Sequence, residues 1–560
     1  MNDASMFVRS VLLLCLLNAC GDDSAPLLDA SPEDGVDGSF DSADAPIDAP
    51  IDAAPDMVPV DMAIDEGVVF DTPVFASLCD PDAEMEAYPA PDAWTPNLGP
   101  GLPRETLDEA LLGTNCAFLD GGDEDETDHH NLVTMYQGYL MMPWAPEFGS
   151  GGISFFDVSN PCEPVSVGSG FSPLTRETHT LGFSHLGGAY AVTASLRGIL
   201  QLGAGGVMFW DVSDPTAPTV AGELDVPDFF YPDAYGGIIM SAFWQVPFVY
   251  LGAGFNGVYI ADATDATDPR LVGQYQFEPR MRVGQVQAVG NLLVVTSTSG
   301  ARTVLLDISD PIDPKPIPGG DFLALDGEGA PREFYFANFS GGYVYYARKD
   351  EGGGVSVMDV RDPTAPVYAG DLRVDGSGGY VFLHEGRAFV GMGRRAAVFD
   401  VSNLDAITEL SEYNLEGDLD TFTPLGQLGV LSVDAEAIED QGTAIVPVQA
   451  EPDARAPLVN YAYPPAGAED VAASARVGVT FDEQVDVRSA FEGSVRLYET
   501  ESGRRVPGVV SAQEVFVNFH PFCALEPDTD YTLELPARGV TDFAGNALAE
   551  GYTTTFRTAP

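Results

Sequence analysis

Six histidines, at positions 129, 130, 179, 185, 384 and 520, are the side chains best suited to carry protons near neutral pH. None sits in a motif that commits it to a reaction. The patterns Gly-x-Ser-x-Gly, His-Glu-x-x-His and Gly-x-x-x-x-Gly-Lys-Ser/Thr are absent from the sequence. A nucleophile elbow, a zinc-protease helix and a phosphate-binding loop are therefore not legible here. A Ser-His-Asp arrangement needs only convergence in space, so the sequence leaves it open. One polar set does gather: His129 and His130; Arg176, Glu177 and His179; Asp233; Arg280 and Arg282; Arg332 and Glu333; Asp418 and Asp420. Arg is a rigid fork donor, so this set describes a funnel for a small anionic or polar ligand. The alternative is ordinary loop charges paired around a rim. A second set, Asp120, Asp123, Asp125 and Asp128, has the close spacing of a calcium loop. It lacks the Gly and closing Glu of an EF-hand, so a calcium site is weighed against a solvated acidic loop. No other cofactor is called for.

The first set is positioned by a repeat. Each polar group precedes an apolar strand, and a signature recurs downstream: apolar alternation, Asp, apolar, Ser, Asp or Asn, Pro. Its first copies are Gly152-Ile153-Ser154-Phe155-Phe156-Asp157-Val158-Ser159-Asn160-Pro161 and Gly206-Val207-Met208-Phe209-Trp210-Asp211-Val212-Ser213-Asp214-Pro215. Later copies centre on Asp262, Asp307, Asp359 and Asp400, and Thr443–Val448 is a degenerate seventh. A period of about 40–55 residues built of short strands means propeller blades. The third unit reads as strands Tyr235–Ser241, Phe248–Gly252, Gly257–Ala261 and Arg270–Tyr275. The repeated Asp and Pro are assigned to turn geometry: Asp binds its own backbone and Pro ends the strand. Seven blades fit residues 129–456, with six as the alternative. The closing strand is expected from residues 67–75 or from Pro457–Tyr463. The stretch resembles the LVIVD-repeat family, which implies a β-propeller on a bacterial or archaeal surface protein and little about chemistry.

Residues 457–560 alternate in short strands: Ala475–Phe481, Ser494–Tyr498, Val506–Val510, Val515–Phe519, Tyr531–Leu535 and Tyr552–Arg557. That is the rhythm of a β-sandwich. Pro464-Pro465-Ala466-Gly467-Ala468, Val479-Thr480-Phe481-Asp482, Leu525-Glu526-Pro527-Asp528-Thr529-Asp530-Tyr531 and Asp542-Phe543-Ala544-Gly545-Asn546 stand in order along it. They resemble the SbsA-type bacterial Ig-like domain, which implies a separate spacer or adhesive module.

The chain has 560 residues, with 86 Asp and Glu against 25 Lys and Arg, a net charge of −61. That excludes a phosphate backbone as partner, and docking on an anionic membrane through a basic patch. The acidity is uneven. Residues 21–128 hold 29 acids against the single Arg104, and no Lys or Arg lies between Arg9 and Arg104. Residues 6–19 have the flanks and length of an export signal, and the apolar run is too short to span a bilayer. Leu17-Asn18-Ala19-Cys20 resembles a bacterial lipobox, which implies lipidation of Cys20. Residues 20–75, rich in Asp, Ala and Pro, read as a disordered acidic tether. Residues 76–128 read as an irregular segment. Cys79, Cys116, Cys162 and Cys523 remain after export, an even number for an oxidising compartment. Cys79 and Cys116 flank one short segment and are expected to pair, which leaves Cys162 and Cys523 to link two domains.

The reading is an exported, all-β envelope lipoprotein, held to the outer membrane by its N-terminal lipid and facing the surface or the periplasm. It displays a propeller and an Ig-like module for binding or adhesion, without catalysis. Its partner is an envelope protein, a glycan or a small polar ligand, not nucleic acid. The rivals are a hydrolase or lyase at the channel mouth, and a purely structural surface component.

Overall fold

A computed structural model of the chain describes residues 69–81, 87–93, 99–121, 132–145, 151–175, 178–196, 205–227, 239–349, 352–433, 437–438 and 440–560. Cys20 and the tether to residue 68 lie outside the described residues, as do His129, His130, Arg176, Glu177, Asp233, Asp123, Asp125 and Asp128.

Seven antiparallel four-stranded sheets follow one another as blades. The fourth shows why these residues form them. Val283–Val289 and Leu292–Ser297 are buried throughout, Arg302–Asp307 nearly so, and the outer Lys315–Leu323 is mostly exposed, with Ile317, Gly320 and Phe322 covered. Inner strands lie between two neighbouring blades, so both faces must be apolar. The outer strand meets solvent on one side, so only some of its residues are covered, and a bulge interrupts their alternation. The third unit is Ser241–Gln245, Phe248–Gly252, Val258–Asp262 and Arg270–Tyr275. Its inner strand thus starts where the expected one ended, because Phe243 and Trp244 are needed inside the ring.

The repeated Asp does the turn work expected of it. Asp157, Asp211, Asp262 and Asp400 each accept the backbone N–H and the hydroxyl of the Ser or Thr two residues on. In six blades a bulge falls just before this Asp, between the third and outer strands. The turn that follows presses on the preceding blade. A Cβ at Gly222 or Gly370 would collide with the carbonyl of Ala266 or Leu404 in the next blade's turn. Glycine is required there for close approach between blades.

The ring closes through neither expected segment. The outer strand of the seventh blade is Ala117–Phe118, paired with Thr443–Pro447 of the same sheet. Val459–Tyr463 belongs to the C-terminal domain, where it pairs with Val477–Phe481. Phe75–Leu78 is a short 3-10 helix. The 76–128 segment therefore contributes a strand as well as irregular chain.

The disulfide expectation is also corrected. Cys116 bonds Cys162, and Cys79 bonds Cys523. Cys116 precedes the closing strand and Cys162 lies in the turn of the first blade, so this bond spans the ring's closure seam. Cys79 sits beside Phe75, whose ring lies 4.2 Å from that of His520 in the C-terminal domain. Proximity after folding decides the partner, not separation along the chain.

The C-terminal domain is a sandwich of two four-stranded sheets. One orders Val459–Tyr463, Val477–Phe481, Phe516–Pro521 and Gly508–Gln513. The other orders Ala468–Val471, Tyr552–Thr558, Asp530–Leu535 and Arg496–Glu499. Phe481, Leu497, Leu533 and Phe556 fill the space between them.

Candidate functional site

The inner strands of the propeller run between two ends of a central axis, and both ends are occupied. At the end where these strands begin, side chains from the second, fifth and sixth blades meet. His179 stacks on Phe336 at 5.4 Å, Phe336 stacks on Tyr380 at 4.0 Å, and His179 Nδ1 is hydrogen-bonded to the Tyr380 hydroxyl. Groups from opposite sides of a ring can touch only on its axis. Tyr335 packs edge-on against Phe336 at 4.7 Å and carries Lys349 over its face at 4.4 Å. Of the ligand set, His179 is thus buried in this stack. Arg280 and Glu333 are exposed, and Arg282 is half-buried. Arg332 donates from Nε to Asp326 Oδ2 at 2.6 Å within its own loop. His179 and Tyr380 are close enough to exchange a proton, but the gap that His179 lines with Thr180, Ile239 and Met240 has no room for a water molecule among the described residues.

At the opposite end the C-terminal domain inserts a hairpin. Its tip, Glu514-Val515-Phe516, enters the ring. Phe516 meets Phe243 edge-on at 5.1 Å and lies 6.1 Å from Phe339. Glu514 Oε2 accepts from Gln287 and Asn338 of two further blades. Gln513 accepts from Trp244 N and donates to Ala242 O. Asn518 bonds both the N–H of Gly290 and the carbonyl of Ala288. Burial pushes Glu514 up to about 7, opposed by its two amide donors. Glu514 also adopts φ 53°, a left-handed conformation that costs a non-Gly residue energy and persists because the contacts fix it. The expected separate module is instead part of the propeller's packing.

Between the fifth and sixth blades lies a groove of about 460 Å³, lined by Tyr343, Tyr345, Asp359, Tyr368, Ser402, Asn403 and Asp405, with Ala369, Val401 and Leu404. Tyr343 and Tyr345 share one face of a strand by its period of two. Tyr368 stands on the outer strand, its hydroxyl donating to Asp371 Oδ1 at 2.6 Å. Asp371 also accepts from buried Arg348 at 2.8 Å, so the wall is braced from inside. None of these residues was in the expected site. The signal available in sequence was the run Tyr343-Val344-Tyr345-Tyr346 in one unit only.

The described His, Cys, Asp and Glu side chains hold one group with metal-ligand spacing, His384, Asp453 and Glu483. It lies where the sixth blade, the linker and the Ig-like domain meet. Burial, with Asp542 next in effect, pushes Glu483 up to about 10, and burial pulls His384 down to about 4. Asp120, the one described member of the calcium set, lies apart from this group in sequence and on the N-terminal segment.

Residues 453–558 match the bacterial Ig-like domain family, Big_5. Residues 338–374 match the LVIVD repeat, which coincides with the fifth blade. No curated protein matches the chain. Three similar solved structures are the β-propeller domain of Cps50 from Myceliophteria thermophila, the periplasmic gluconolactonase of Pseudomonas aeruginosa and BamB of Moraxella catarrhalis. The first is 11% identical, covering 58% of this chain and 99% of that one, with a TM-score of 0.42. The second is 11% identical, covering 55% and 85%, at 0.41. The third is 11% identical, covering 57% and 96%, at 0.36. The seven-bladed fold rests on the sheets themselves.

Proposed function

We propose that the protein is an exported surface binder that engages a glycan in the groove between the fifth and sixth blades. The observation that carries this is the lining of the groove. Tyr368 offers an exposed ring for a sugar's C–H surface beside the rims of Tyr343 and Tyr345, and Asp405, Asn403 and Ser402 offer partners for its hydroxyls, while Arg361, which holds Asp359 and lies over the Tyr343 ring, adds a cation at the edge. Its volume of about 460 Å³ suits one or two sugar rings. Two disulfides and a domain similar to bacterial Ig-like modules support a place outside the cytoplasm. The lipobox-like Leu17-Asn18-Ala19-Cys20 supports anchoring by lipid to the envelope. Among the described residues no helix is long and apolar enough to cross a membrane.

The test is an oligosaccharide panel read by thermal shift and calorimetry on the full chain. Tyr368→Ala, at a residue that is 38% exposed, is expected to weaken the best ligand at least tenfold and leave the melting temperature nearly unchanged. Binding that survives both Tyr368→Ala and Tyr343→Ala, or a panel with no ligand at all, sinks the reading.

A further inference from the structure

We infer that His384, Asp453 and Glu483 bind one divalent transition-metal ion, for which Zn²⁺ is the natural probe, at the seam between the propeller and the Ig-like domain. The three come from three parts of the chain. His384 ends the inner strand of the sixth blade, Asp453 lies on the linker after the seventh, and Glu483 follows the Ig-like strand Val477–Phe481. Each offers one ligand atom, and these atoms lie within 4.8 Å of one another. His384 Nδ1 and Glu483 Oε2 are 3.8 Å apart. They line a cavity of about 10 Å³, the room of one ion or one water, together with Pro424, Gly426, Gln484 and Phe543.

An acidic cluster alone would carry nothing. Glu483, however, is 1% exposed, and its Oε1 has no hydrogen-bond partner among the described residues. A carboxylate oxygen buried unpaired costs several kcal/mol unless a cation or proton meets it. The neighbours do not supply one. Arg455 is turned onto Asp482 and onto Glu385 at 3.3 Å. Asp542 is itself occupied by Asn546, whose N and Nδ2 donate at 2.8 and 2.9 Å. The pocket thus presents the unpaired Oε1 of Glu483, the imidazole of His384 and the carboxyl of Asp453, whose Oδ1 also accepts the N–H of Arg455 at 3.0 Å, to a space of ionic size.

The donor set chooses the ion. One imidazole with two carboxylates suits Zn²⁺ and its neighbours, bound at about 2.0–2.2 Å with a water in the fourth position. Ca²⁺ seeks six to eight oxygens, more than this cavity presents. Tetrahedral ligands around zinc stand about 3.3 Å apart, so the present spacing closes with small side-chain movements. An ion bound there ties blade, linker and Ig-like domain together, and its binding is linked to their docking.

The experiment uses the full chain, stripped with chelator and returned to metal-free buffer. Zn²⁺ is expected to bind with a stoichiometry of one and raise the melting temperature by several degrees, while Ca²⁺ at the same concentration does not. Co²⁺ in its place is expected to show the visible absorption of a tetrahedral site. Glu483→Gln keeps the shape, so the chain folds and melts higher than the stripped wild type, but loses the zinc response. Asp453→Asn on the half-exposed linker loses at least tenfold in affinity. Zinc shift and stoichiometry unchanged in Glu483→Gln would place the ion on the acidic surface and overturn the assignment, as would a larger response to Ca²⁺ or none to Zn²⁺.

Discussion

The two ends of the propeller axis are closed by opposite means. One end is stoppered by rings from the blades themselves, His179, Phe336 and Tyr380, in contact across the ring. The other is stoppered by a foreign hairpin, and the joint is mostly polar: Gln513, Glu514 and Asn518 each bond propeller side chains or backbone. Rings from blades of one propeller can meet at its axis without help, because the blade geometry already aims them inward. A second domain has no such guarantee of register. Directional hydrogen bonds supply it, and Phe516 supplies the burial. The hairpin end therefore couples two domains, whereas the ring end only completes one.

Truncation at the hairpin tip breaks this contrast most sharply. Phe516→Ala removes a wholly buried ring and is expected to cost about 3–5 kcal/mol. If the domains are one cooperative unit, calorimetry shows a single transition in the wild type, and the variant lowers it as a whole. Two separate transitions in the wild type, with only the later or earlier one moved, would return the Ig-like domain to the status of an independent module.

The next largest effect is on pH. Glu514 titrates near 7 in the folded chain, above the ordinary value of 4.5. The folded state then holds a proton that the unfolded state has released between those values. Stability attributable to this group is fully present below about 4.5, falls as pH rises towards 7 and stays low above it, by about 3 kcal/mol in all. Glu514→Gln keeps an acceptor for Gln287 and Asn338, so its denaturation midpoint is expected to be flatter over that window and higher at pH 8. A wild type and variant with parallel pH profiles would mean that the joint does not bury this charge.

The ring end should respond least. Tyr380→Phe keeps the stack on Phe336 and removes the hydroxyl that is hydrogen-bonded to His179, a loss of about 1 kcal/mol. A loss as large as that of Phe516→Ala would show that this end carries a coupled polar network too.

Legibility followed distance along the chain. Asp157 and Ser159 are two residues apart, and the turn they form is legible as turn chemistry from the local sequence. The sandwich strands were placed within about two residues where alternation was clean, as at Tyr531–Leu535 against the observed Asp530–Leu535. The inner strand of the third blade was displaced because Ala242–Gln245 runs into Pro247 and reads as a strand's end, not its body. The groove escaped notice because Tyr368 and Asn403 belong to different blades, and no local rule joins them.

The sequence alone determined the repeat, the turns, the all-β class and the order of the two folded parts, since each follows from side-chain alternation and backbone preference over a few residues. Tertiary structure decided what meets across long separations. Cys79 finds Cys523 at a sequence distance of 444, residues 117–118 close the ring, and His384, Asp453 and Glu483 come to one cavity. The reason is geometric. A ring of seven blades with a domain docked on one end brings together residues whose only shared property is the position that closure assigns them.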